Sequence, residues 1–97
     1  MKALPVNPEM AAIARRLVWF EEPEQSLADP IRFMAYAMAR ATAKDIAEIR
    51  RHVSDEDFLQ AIEQAPPGII DPRSWAYWNL MIAGRSPPPP LPTRTFE

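Results

Sequence analysis

Apolar positions in this chain recur every three or four residues, the period of an amphipathic helix. Nowhere do they alternate long enough to make a strand. Met10, Ile13, Ala14 and Leu17 share one face of a first helix. Asn7–Pro8 opens it, a capping side chain followed by proline at the first helical position. Trp19 falls on the opposite side, so the helix either frays near Val18-Trp19-Phe20 or lends Trp19 to a second contact. The acidic segment Glu21–Gln25 reads as a loop. Asp29–Pro30 opens a second helix by the same logic, with Ile31, Met34, Ala35 and Met38 as its main stripe. Thr42 caps a third, with Asp45 at the third helical position as a short capping box and Ile46, Ile49 and Val53 on the core face. Ser54 caps a fourth. Its first turn, Asp55-Glu56-Asp57, suits the positive end of the helix dipole, and Phe58, Leu59, Ile62 and Ala65 point inward. After the stop at Pro66-Pro67-Gly68, Asp71–Pro72 opens a fifth helix that ends at Gly84, a left-handed terminator. Pro87–Pro92 is then extended, as in polyproline II. The expectation is an all-α fold: a compact bundle of five short helices forming one domain over residues 1–85, with an extended proline-rich tail over 86–97.

Composition narrows this picture. A chain of 97 residues fits one domain, and a domain of this size buries roughly 60–65% of its unfolded surface. An apolar share of 47% is too high for a disordered chain. With no cysteine there are no disulfides and no thiolate metal sites, which is compatible with a reducing compartment. The first ten residues lack the apolar run of a signal peptide, and no stretch is long and apolar enough to span a membrane. A cytoplasmic protein is therefore expected. The formal charge of −2 argues against a general nucleic-acid coat.

The segment Thr42–Phe58, TAKDIAEIRRHVSDEDF, nevertheless has the outline of a DNA-binding helix-turn-helix. In that alternative Lys44, Arg50 and Arg51 would contact nucleic acid. The would-be reading helix, however, begins Ser-Asp-Glu-Asp, and acids there are repelled by the phosphates that supply most of the binding energy. The turn has no glycine. Lys44, Glu48 and Arg51 are spaced to pair on one solvated helix face.

Nothing in the sequence nominates catalysis. His52 sits beside Arg50 and Arg51 near a helix end, where a histidine complements the dipole. It has no orienting partner for base chemistry, and Glu48 alone would make a poor companion in a metal site. There is no phosphate-binding loop and no nucleophile motif. No enzyme activity, cofactor or metal is expected.

The aromatic residues say more. Phe33, Tyr36, Ala37 and Arg40 form a second row on the second helix, away from its main stripe and flanked by Arg32. The fifth helix is likewise apolar almost all round. Trp75, Trp78 and Ile82 lie on one side, Tyr77 and Met81 on another, and Leu80 on a third. Such helices are central, or they lend a face to a partner. On the second reading Arg32, Phe33, Tyr36, Arg40, Arg73, Tyr77 and Met81 bind a protein partner, since aromatic residues with arginine are enriched at interface hot spots. Homo-oligomers remain open. In the tail, Pro89–Arg94 (PPLPTR) matches a PxxPxR docking pattern, but a stiff tail lying along its own domain or along a partner is the preferred account.

Four segments carry a family resemblance: LVWFEE (Leu17–Glu22), LADPIRFMAYAMARAT (Leu27–Thr42), DIAEIRR (Asp45–Arg51) and IIDPRSWAYW (Ile69–Trp78). Together they are similar to small helical bacterial proteins of uncharacterised-domain type, which are often encoded beside nucleotidyltransferase-like toxins of the abortive-infection kind. The shared pattern is an aromatic pair after an opening helix, a long helix ending in arginine and a small residue, and a closing Asp-Pro-Arg before an aromatic pair. Relatives often carry glycine at the two turns where this chain has Ala41-Thr42 and His52-Val53, so its turns differ. The resemblance implies a non-enzymatic antitoxin or companion whose partner is a nucleotidyltransferase-type toxin. It implies no catalytic residue in this chain.

Overall fold

A side chain or a proline marks the start of every helix. The computed structural model describes residues 1–92, and among them it contains six helices and no strand: α1 (Pro8–Leu17), α2 (Pro23–Ala28), α3 (Pro30–Arg40), α4 (Ala43–Ile49), α5 (Asp55–Glu63) and α6 (Pro72–Ala83). The side chains of Asn7, Asp29, Thr42, Ser54 and Asp71 each accept a hydrogen bond from a first-turn backbone amide. These bonds satisfy donors that a helix start leaves free.

The bundle therefore has six helices rather than five, because Glu21–Gln25 is not all loop. Pro23 starts α2, and the Gln25 side chain accepts a hydrogen bond from the Glu22 amide at 3.3 Å. Pro23, Ser26 and Leu27 are buried, and the Leu4 amide bonds the Leu27 carbonyl at 2.9 Å. A six-residue helix is too short to display a period, and its acidic start disguises it.

The long helix α3 is central, packing on α1, α2, α5 and α6, while α4 rests on α1 and α5 also meets α6. The core runs through Met10, Ile13, Leu17, Phe33, Met34, Ile49, Phe58 and Ile62. Phe58 stacks on Trp78 with ring centroids 5.4 Å apart, and the Trp78 indole donates to the Met38 carbonyl at 2.9 Å. Leu59 and Ile46 are only partly buried. Arg16 and Asp45 tie α1 to α4. The buried Asp45 carboxylate accepts two hydrogen bonds from the Arg16 guanidinium, one of them 3.0 Å, and a third from the Thr42 amide at 3.1 Å. The Arg16 guanidinium holds the Asp45 carboxyl below the usual carboxylate range, and Thr42 adds to this.

The described part of the tail lies on its own domain. The Trp75 indole donates to the Pro89 carbonyl at 2.6 Å, and Leu91 packs against the core. Thr93 and Arg94, the end of the PxxPxR pattern, lie outside the described residues.

Candidate protein-docking surface

The chain leaves α1 through a sharp change of direction. Val18 turns into the core, while Trp19 and Phe20 turn outward, Trp19 with 74% of its surface exposed. The edge of Phe20 meets Tyr36 of α3, ring centroids 5.8 Å apart, and Trp19 meets Phe20 at 5.6 Å. Two arginines from α3 complete the group. The Arg32 guanidinium lies 5.4 Å from the Tyr36 ring centre and 5.8 Å from that of Phe20, and Arg40 lies 5.1 Å from Tyr36. Such contacts are favourable because the ring face is electron-rich.

Each cation is held from behind. Arg32 pairs with Glu21 at 2.6 Å, and Glu21 also accepts from the buried Ser26 hydroxyl at 2.8 Å. The Arg32 and Ser26 hydrogen bonds push the Glu21 carboxyl down, and Glu21 in turn raises Arg32. Arg40 donates to the Leu17 carbonyl at 3.0 Å, satisfying an acceptor at the end of α1. The two guanidinium groups are thus held in place, and they have little rotamer freedom left to lose when something docks on them.

Of the partner-binding residues expected from the sequence, Arg32, Tyr36 and Arg40 come together here. Phe33 does not. It is 1% exposed and belongs to the core. Because α3 is packed by four other helices, Phe33, Met34, Ala35, Ala37 and Met38 are all buried, and Arg32, Tyr36 and Arg40 form a narrow, partly exposed arc. Arg73, Tyr77 and Met81 are exposed, but on α6, where Leu80 joins them. Among the described residues no ring–ring or cation–ring contact links the two groups. Between the ends of α3, α4 and α6 lies an open cleft of about 600 Å³, bordered by Met38, Ala39, Ile46, Arg73, Tyr77 and Trp78. Phe20 was missed from the sequence. The one available signal was the displacement of the aromatic pair from the α1 stripe.

The basic residues of the helix-turn-helix alternative are placed otherwise. Arg50 pairs with Asp55 at 2.7 Å and lies over the buried Phe58 ring, and Arg51 pairs with Glu48 at 3.4 Å. Lys44 is exposed beside Asp45 and Glu48. His52 Nε2 lies 3.5 Å from Glu48, and among the described residues no three His, Cys, Asp or Glu side chains gather to hold a metal. No helix among them is long and apolar enough to cross a membrane. Comparison with protein-family models, curated proteins and solved structures finds no match.

Proposed function

We propose that this helical domain is a protein-binding module without catalytic activity of its own, and that Trp19, Phe20, Arg32, Tyr36 and Arg40 dock its partner. One observation carries the reading. A tryptophan is left almost bare, beside a second exposed aromatic ring and two arginines already locked in place. A soluble domain gains nothing in folding by exposing Trp19. At interfaces, Trp, Tyr and Arg account for much of the binding energy.

The partner class, a nucleotidyltransferase-type toxin of a bacterial defence locus, rests on the sequence resemblance alone. The surface residues fall within two of the segments that carry it, LVWFEE and LADPIRFMAYAMARAT. In this role the chain is a cytoplasmic antitoxin or companion, and the transferase chemistry belongs to the partner.

The test compares tagged wild type and Trp19→Ala, purified from the native host. Wild type should retain a nucleotidyltransferase-type protein. Trp19→Ala should bind it about 2 kcal/mol more weakly, the hot-spot range, with an unchanged helical spectrum. If no such protein is retained, the partner class is wrong. Equal affinity for both chains would remove the surface.

A further inference from the structure

The turn that joins α3 to α4 is built from small residues, and it leaves space uncovered. Ala39, Ala41 and Ala43 border the open cleft of about 600 Å³ between the ends of α3, α4 and α6. Its floor is fixed. Trp78 is buried, stacks on Phe58 at 5.4 Å, and donates its indole N–H to the Met38 carbonyl at 2.9 Å. Tyr77 stands beside it at 85°, ring centroids 5.0 Å apart, so the two rings make a right-angled aromatic corner. Ile46 of α4 is partly buried and borders the same space. The volume lies within the roughly 300–1,000 Å³ range of small-molecule sites, which are apolar with a few polar groups that fix orientation.

The charge at this cleft is one-sided. No carboxylate borders it, and its one charged side chain is Arg73. Arg73 is exposed, and no ion pair among the described residues involves it. Asp71, two positions earlier, is spent on the helix cap: it accepts from the Ser74 amide at 3.1 Å and does not border the cleft. Two other clefts differ in this respect. One is bordered by Lys2 and Asp57, and another by Arg16, Lys44, Asp45 and Glu48, so charges of both signs already meet in each.

We propose that the cleft binds a small aromatic carboxylate, with its flat ring system in the corner of Tyr77 and Trp78 and its carboxylate on the Arg73 guanidinium. In such a corner a flat ring meets one side chain offset-stacked and the other edge to face, the arrangements that aromatic pairs prefer. The planar guanidinium offers two parallel N–H donors, which match a carboxylate better than any neutral group. Trp78 is already held by Phe58 and by the Met38 carbonyl, so little of the floor has to be ordered on binding. The site uses none of Trp19, Phe20 and Tyr36, so its outcome is independent of the partner surface.

The experiment is an NMR titration of the isotope-labelled full chain with three probes that share one ring system: indoleacetate, its neutral amide, and the cation tryptamine. The signals followed are the Trp78 indole N–H and the amides of Ala43, Ile46 and Tyr77. Ligands of this size bind with Kd on the order of 1 mM, so each titration runs to about 10 mM. Indoleacetate should bind most tightly and tryptamine most weakly. Arg73→Gln, at an exposed position, should weaken indoleacetate about fivefold, the worth of an exposed charge pair, and leave the amide unchanged. Ala43→Phe, also at an exposed position, should fill the cleft and weaken all three probes. The proposal is overturned if those signals stay fixed throughout, if acid and amide bind equally, or if either variant binds indoleacetate as wild type does.

Discussion

Asp45 is the residue whose role the sequence understates most. Its place three residues after Thr42 marks it as a helix cap, and the structure keeps that role. Its burial and its double hydrogen bond to Arg16, 29 positions away, come from α4 lying on α1. Asp45→Ala should therefore cost roughly 2 kcal/mol, a lost cap plus a lost charged contact, measurable by urea denaturation. The pH dependence follows from the same contacts. The folded-state pKa values of Asp45 and Glu21 lie below their unfolded values, so both contribute stability above about pH 4. That contribution is lost as the pH falls through the folded values. The urea midpoint should drop on acidification below about pH 4, and Asp45→Asn should drop less steeply. An identical acid limb for the variant would show that Arg16 and Asp45 are not coupled.

At the scale of the element, starts and stops were legible and neighbours were not. Asn7, Asp29, Thr42, Ser54 and Asp71 cap helices where the sequence places them. Gly84 ends α6 with φ of 65°, the left-handed conformation expected of it. Gly84→Ala meets no clash, so its cost is conformational alone, about 1 kcal/mol. A thermal melt should show a modest drop with the helical content intact, and a larger loss would mean that the site is crowded. The start of α2 within Glu21–Gln25 is not legible because six residues cannot show a period, and what stabilises the helix is Leu27 buried among residues distant in sequence. Phe33 shows the same gap in reverse. A second apolar row on α3 is compatible with an open face or with a second packed neighbour, and only the positions of α1, α2, α5 and α6 decide between them.

For the molecule as a whole, the tail is part of the fold as far as it is described. Removing residues 86–97 would take away the Pro89 carbonyl and uncover the Trp75 indole that bonds it, a loss of about 1 kcal/mol for the hydrogen bond. The truncated chain should melt lower and its tryptophan emission should shift to the red. Emission and melting unchanged from the full chain would show that the tail adds nothing to the domain. The exposed aromatic residues divide into Trp19 and Phe20, the latter set against the half-buried Tyr36, and Tyr77 on α6. The linear order of residues pooled Tyr36 and Tyr77 into one set of partner contacts.

The all-helical class, the helix starts, the terminator at Gly84 and most inward-facing positions were determined by the sequence itself. They depend on interactions within four residues, which a 3.6-residue period and a capping side chain encode locally. Which of two apolar rows is covered, which carboxylate is buried against a distant arginine, and where Trp19 comes to rest were decided only by tertiary structure. Burial is a property of the space between elements, and the same amphipathic helix is core or surface according to how many neighbours reach it.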